Sequence, residues 1–386
     1  MYGAGGPAVL VDTPMMLRGA IIALGPRRAV RRDVSLNGSH ATLDLSRHML
    51  LPGLINAHDH LEFNLFPQLG HGPYANATEW ARDIYHPESS PIREHLRVPK
   101  PVRLWWGALK NLLSGVTTVC HHDPHEPEVF SSDFPVRVVR RFSWAHSLDF
   151  SPDLEERFRC APKTAPFVVH CGEGTDHLAQ SEVHKLDALG ALDHRTAIVH
   201  GVALTEEGLA LMRRRRAALI WCPTSNLTTL GRTVPLNVLQ SRLSIALGTD
   251  SALTAHVDLL DELRRARRYL GVERLYDMVT SEPARILRLP DSQLAADLIA
   301  VLSTSSQPAC ALFDGKVELV VVGGRIRLIS PDLALQLPPR TLARFQPLEV
   351  EGRPSVLVDA DVRRLYRAAV RHLGSELRLA GKRVII

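Results

Sequence analysis

Short apolar runs alternate with amphipathic stretches through the middle of the chain. Runs at residues 51–57, 116–120, 136–142, 167–170, 197–200, 218–222 and 244–247 read as buried strands. Apolar spacing of helical period at 102–113, 206–212 and 259–270 predicts helices between them. Such alternation implies a parallel sheet, and the number of units favours a (β/α)8-type TIM barrel over an open sheet. Both flanks read instead as short strands. They fall at 8–11, 19–24, 33–36 and 41–45 before the barrel, and at 297–301, 317–322 and 325–329 after it, with a Gly323-Gly324 hairpin turn. The expected organisation is a barrel over 51–289 and a small β-sandwich built from 1–50 and 290–345. A helical tail over 346–386 follows, whose amphipathic helix at 359–373 packs on the body.

Two lengths depart from a regular barrel. A strand-and-helix unit averages roughly 31 residues, so the span from Val116 to Phe167, at about 50 residues, is too short for three. One unit there is shortened or missing. Conversely, the excursion from Pro67 to Pro101 is too long for an ordinary connection, and such loops usually carry function.

Composition narrows the class. The chain has 386 residues, 45% hydrophobic and 23% charged, ordinary for a globular enzyme. It has no apolar run long enough to span a membrane, and its first residues carry no secretory pattern. Five scattered cysteines read as reduced thiols of a cytoplasmic protein. The net charge of +5 does not imply nucleic acid. Its densest run, residues 213–216, ends a predicted helix, where cations favour the dipole, and no aromatic-basic interleaving accompanies it. The partner expected is a small molecule, and a homodimer is compatible with the sequence.

Candidate chemistry begins at His58 and His60. Side chains at i and i+2 of a strand share a face, so this pair aims two imidazoles at one point. With 18 histidines in the chain, about one such pair arises by chance, so the pair alone decides nothing. Four later strand ends add polar residues: His170 with Glu173, His200, the turn 222–226, and Asp250. Singly each has a plain explanation, a satisfied core histidine or an N-cap. Together, in a barrel, they gather at the C-terminal face where active sites sit. A nucleophilic serine or cysteine hydrolase is disfavoured. There is no Gly-x-Ser-x-Gly, and Cys171 points to the strand face opposite His170.

The order Pro52-Gly-Leu-Ile-Asn-Ala-His-Asp-His60, His170-Cys-Gly-Glu173, His200-Gly201, Cys222-Pro-Thr-Ser-Asn226 and Gly248-Thr-Asp250 resembles the amidohydrolase superfamily. Within it the resemblance is to the branch of triazine hydrolases, guanine deaminases and adenosylhomocysteine-type deaminases. It spans about residues 8–330, including Ala295-Ala-Asp-Leu-Ile-Ala-Val301 before the closing strands. The resemblance implies that His58, His60, His170 and Asp250 bind one divalent metal, zinc by its donor set, with iron compatible. It implies catalytic roles for Asp250 in deprotonating water, for Glu173 as proton shuttle and for His200 at the water or the developing oxyanion. No lysine occupies a position for a carbamylated bridge, so a single metal is expected. The implied reaction is hydrolysis of a C–N bond, deamination of a cyclic amidine or heteroaromatic amine. Amide, lactam or halide hydrolysis on the same site and a non-catalytic scaffold are the alternatives. His146 is either the substrate-binding histidine of the fourth strand or a turn residue. His121-His122-Asp123 is either near the mouth or a surface loop. Asn226 shapes the floor. The long excursion, with Trp80, Arg82, Tyr85, His86, Arg93 and His95, reads as a lid whose Trp80 and Arg93 contact substrate.

Overall fold

A computed structural model describes residues 23–25, 28–30, 43–45, 47–294 and 297–386. The strands expected at 8–11 and 33–36 lie outside the described residues, as do 19–22 of the run at 19–24, 41 and 42 of the run at 41–45, and Ala295 and Ala296 of the closing segment.

The centre of the molecule is a TIM barrel of parallel strands. They are β1 (Leu54–Asp59), β2 (Val116–His121), β3 (Arg137–Val138), β4 (Ser143–Ala145), β5 (Phe167–Cys171), β6 (Thr196–His200), β7 (Ala218–Trp221) and β8 (Ile245–Leu247). Two hydrogen-bonded arcs make it up, β1-β2-β3 and β4-β5-β6-β7-β8. They meet where Asp59 bridges Asp250 in parallel and His58 O accepts the N–H groups of Thr249 and Asp250. On the far side β3 and β4 are separated by four residues, 139–142. Two neighbouring parallel strands need a crossover of about a dozen residues or more. β3 and β4 are therefore successive halves of one extended run: the first pairs with β2 and the second with β5. No helix lies between β2 and β4 among the described residues. This is the shortened unit that the count of residues required.

Side-chain alternation sorts the strands into two cores. Ile55, Ala57, Cys120, Val168, Ala197, Val199, Ala218, Ile220 and Ala246 fill the barrel interior. Leu54, Val169, Cys171, Ile198 and Leu219 face the surrounding helices, so Cys171 does lie on the outer face. The run expected as one strand at 51–57 is broken at Gly53. His48–Pro52 belongs to the second sheet and β1 to the barrel. A Cβ at Gly53 would fall 2.2 Å from Thr117 Oγ1, so the crossing between sheets needs glycine.

The second sheet has eight antiparallel strands. His48–Pro52 pairs with Leu298–Leu302, followed by Lys316–Val322 and Arg325–Ile329, joined through Gly323-Gly324 with both φ positive. The tail is not only helical. Gln346–Val350, Val356–Val358, Arg378–Leu379 and Lys382–Ile385 extend this sheet, around the helix Val362–Leu373. The period-2 burial of Gln346–Val350 is the strand signal that the stronger helical pattern masked. Among the described residues no helix is long and apolar enough to cross a membrane.

Candidate metal centre

His58, His60, His170 and Asp250 converge at the C-terminal end of the barrel, all buried, with one donor atom of each within 4.8 Å of the others. Simple alternation delivers His170, in step with inward Val168, and Asp250, in step with inward Ala246, but not the β1 pair. Ile55 and Ala57 face inward and Asn56 outward, so His58 should face outward too. A register irregularity between Asn56 and Asp59 resets the alternation and turns His58 and His60 inward. His200, next to inward Val199, needs similar help, and both it and Asp250 carry left-handed backbone, φ 76° and 55°. Gly248 passes so close beneath His58 that a Cβ would lie 2.7 Å from His58 Cβ.

Hydrogen bonding fixes which ring nitrogen faces the centre. His60 Nδ1 lies 2.9 Å from Asp123 Oδ2, and His170 Nδ1 lies 2.7 Å from His146 O. Both partners only accept, so both Nδ1 atoms carry hydrogen and Nε2 is the ring atom left for a metal. These Nε2 atoms face inward. His58 Nε2 and His170 Nε2 are 3.2 Å apart, and Asp250 Oδ1 is 3.6 Å from His58 Nε2 and 3.7 Å from His60 Nε2. The other Asp250 oxygen accepts from Ser225 Oγ at 2.6 Å and Thr254 Oγ1 at 3.0 Å. Burial pushes His58 down to about 4 and holds His170 well below the usual histidine range. Against the cost of its burial, the carboxylates of Asp123, Asp250 and Asp59 raise His60 to about 9, so a divalent cation, zinc above all, would displace its proton to complete a donor set of three imidazoles and a carboxylate.

Glu173 and His200 stand beside these donors, with His200 Nε2 3.5 Å from Glu173 Oε2. Burial, reinforced by repulsion from Asp250 and Glu182, holds the Glu173 carboxyl well above the usual carboxylate range, which favours its protonated form. Gly172, at φ 68°, sets the turn that carries Glu173, and its N–H donates to Glu182 Oε2 at 2.5 Å.

The four residues expected to contact substrate fare differently. Asn226 is buried and its Oδ1 accepts from His200 Nδ1 at 2.8 Å, so it orients that ring, while its Nδ2 has no protein partner. His146 stays exposed at the mouth with its ring 4.7 Å from that of His170. The excursion does run beside the site, but through its backbone. Ala77 N donates to Glu173 O, Thr175 N to Ala75 O and Tyr74 N to Thr229 O. Its large side chains serve other ends. Trp80 Nε1 donates to Leu69 O within the same loop, and exposed Arg93 pairs with its neighbour Glu94. The helix Ile92–Arg97, which carries Arg93 and His95, packs against the tail helix Val362–Leu373. Polar turns satisfied their own side chains, and sequence spacing does not reveal that.

Sequence reasoning missed the supporting groups. Asp123 sat in the noted His121-His122-Asp123 run, and the pairing with His60 needed the β1–β2 register to become visible. His122 is fully buried under the cluster, with its ring 4.6 Å from His170, rather than in a surface loop.

Comparison with known proteins agrees with this geometry. A model of the amidohydrolase family matches residues 166–327. The 5-methylthioadenosine/S-adenosylhomocysteine deaminase of Pyrococcus furiosus is 24% identical over 78% of this chain and 89% of its own. The protein of the same name from Syntrophobacter fumaroxidans is 25% identical over 82% and 79%. Among solved structures, a zinc-bound adenosine deaminase from Xanthomonas campestris superposes with a TM-score of 0.65 at 19% identity, covering 86% of this chain and 87% of that one. A zinc complex of atrazine chlorohydrolase from Arthrobacter aurescens gives 0.63 at 17%, covering 89% and 92%. Family match, relatives and fold agree: the chain is similar to amidohydrolases across most of its length and shares their fold.

Proposed function

We propose that this protein is a metal-dependent hydrolase of C–N bonds that deaminates a heteroaromatic amine or cyclic amidine. The observation that carries the reading is the convergence of His58, His60, His170 and Asp250 on one point with Glu173 and His200 at its edge. The relatives named as deaminases of adenine-bearing molecules support an aminopurine-like ring as the substrate class.

The four converging residues would hold one zinc ion, with iron as the other metal this donor set accepts. A divalent cation there lowers the pKa of water from about 15.7 toward about 7. The remaining steps belong to the chain. Asp250 Oδ1 accepts the proton released by the attacking water. Glu173, whose carboxyl burial holds well above its usual range, gives its proton to the ring nitrogen; Asp250 then passes the proton taken from water to the departing nitrogen, which leaves as ammonia, and the new hydroxyl returns its proton to Glu173 as the carbonyl forms. His200, oriented by Asn226, presents Nε2 to the Glu173 carboxyl and holds it on the reacting side. His146 borders the mouth where the ring enters. The cysteines are all unpaired thiols, which fits the reducing cytoplasm where we place the enzyme.

The test is an ammonia-release screen over aminopurines, pterins, aminopyrimidines and triazines, run with metal analysis. Release from at least one ring amine, with about one zinc or iron per chain, is the expected result. Protein purified without metal that takes up none under reducing conditions refutes the reading. Turnover without ammonia moves the reaction to amide, lactam or halide hydrolysis.

A further inference from the structure

Between the two histidines of β1 lies a charge that the proposed chemistry does not use. Asp59 points away from the centre, into the space between β1, β8 and the helix Lys100–Leu113, and it is fully buried. Its Oδ2 pairs with Lys110 Nζ at 2.8 Å and accepts from Asn111 Nδ2 at 2.7 Å, Thr249 Oγ1 at 3.1 Å and Asn56 Nδ2 at 3.2 Å. Its Oδ1 accepts from Asn64 Nδ2 at 2.9 Å. Lys110 Nζ also reaches Thr249 Oγ1 at 3.1 Å, and Asn56 Nδ2 reaches Asn111 Oδ1 and Thr249 Oγ1, both at 2.9 Å. None of these six residues is more than 4% exposed.

A buried ion pair is weak evidence for stability, because stripping water from both charges offsets most of their attraction. A pair kept in such a place calls for another role, and its position supplies one. Asp59 sits between His58 and His60 in sequence, and Thr249 precedes Asp250. Asp59 also forms the bridge to Asp250 that joins the two arcs. That seam takes few backbone hydrogen bonds, since residues 278–279 stand between the strands lower down: Ile55 N donates to Val279 O and Leu247 N to Met278 O. At the upper end, where the donors emerge, the side chains around Asp59 reinforce the two backbone bonds to His58 O.

We propose that the Asp59–Lys110 pair and its amide and hydroxyl partners form a clamp that sets the spacing between the histidines of β1 and the carboxylate of β8. Asp59 and Lys110 are thus positioning residues. They touch neither substrate nor metal, and they act on metal affinity through the geometry of His58, His60 and Asp250. Cutting the outer support of a metal ligand typically weakens metal binding by about 10–100-fold.

The inference rests on the proposed metal centre, and the experiment separates the two. Zinc affinity of the full chain is measured by chelator competition for the parent, for Asp59→Asn/Lys110→Met and for Asn111→Leu. Thermal melts of the metal-free proteins and the visible spectrum of the cobalt forms accompany it. The double variant removes both charges together and leaves no unpaired ion. It should fold with a metal-free melt close to the parent's, bind zinc about 10–100-fold more weakly and show an altered cobalt spectrum. Asn111→Leu, which leaves the ion pair intact, should show a smaller loss in the same direction. A double variant that folds and holds zinc within about twofold of the parent overturns the clamp. If the double variant does not fold, unchanged affinity in Asn111→Leu overturns it instead. A parent that takes up no zinc refutes the metal centre itself, and the clamp with it.

Discussion

Replacing Glu262 by glutamine removes a buried titrating carboxyl and keeps the acceptor its neighbour needs. Glu262, on the helix Leu259–Ala266, is fully buried and accepts from Thr224 Oγ1 at 2.7 Å and from Thr224 N at 3.1 and 3.2 Å. Thr224 opens the helix Pro223–Leu230, whose N-cap Cys222 makes no side-chain capping bond. Glu262 therefore does the capping from outside, and that helix carries Ser225 to Asp250 and Asn226 to His200. Burial pushes the Glu262 carboxyl from its ordinary 4.5 up to about 8, against the hydrogen bonds from Thr224. In that window the folded protein holds a proton that the unfolded chain has released, so stability falls as pH rises. The contribution is fully present below about 4.5 and gone above about 8. At about 1.4 kcal/mol per pKa unit, the ceiling on the loss is ~5 kcal/mol. Glutamine cannot ionise, so the variant escapes this loss while every other titration stays common to both proteins. Melting temperatures of parent and Glu262→Gln are to be compared from pH 5 to pH 8. The variant should gain steadily on the parent as pH rises and hold its gain above pH 8. A difference that stays flat across the window refutes the reasoning.

Three further outcomes test the site. Chelation should abolish turnover and lower the melting temperature, because it leaves convergent imidazoles with no cation, and added zinc should restore both; activity that survives complete metal removal contradicts this. Glu173→Gln should cost about 10²–10⁴ in kcat at unchanged zinc content, since the amide carries no transferable proton, and retained turnover would assign the proton to another group. Arg93→Ala should leave kcat/KM and the melting temperature nearly unchanged, within about 0.5 kcal/mol, because its partner is an exposed neighbour; a large rise in KM would return Arg93 to the mouth.

The alternation of apolar strands and amphipathic helices made the barrel legible, and the residue count between Val116 and Phe167 made its fused third and fourth strands legible too. Hydrophobic period and chain length are local quantities, and they survive without tertiary contacts. The four converging residues were legible because each ends an apolar strand and a barrel gathers strand ends on one face. What the chain did not reveal depends on contacts far apart in sequence. The irregularity that turns His58 inward comes from pairing with β2, and the Asp123 contact with His60 follows from the same pairing. Asn226 orients His200 because the helix Pro223–Leu230 brings its Oδ1 to that ring, a contact across 26 residues of sequence. Trp80 and Arg93 read as lid contacts because aromatic and basic residues in a long loop invite it, yet a loop satisfies its own polar groups first. His58 and His60 as a pair were thus open to sequence. The asparagines, threonine and lysine gathered around Asp59 between them were not, because a hydrogen-bond network is set by three-dimensional proximity, which residue spacing does not encode.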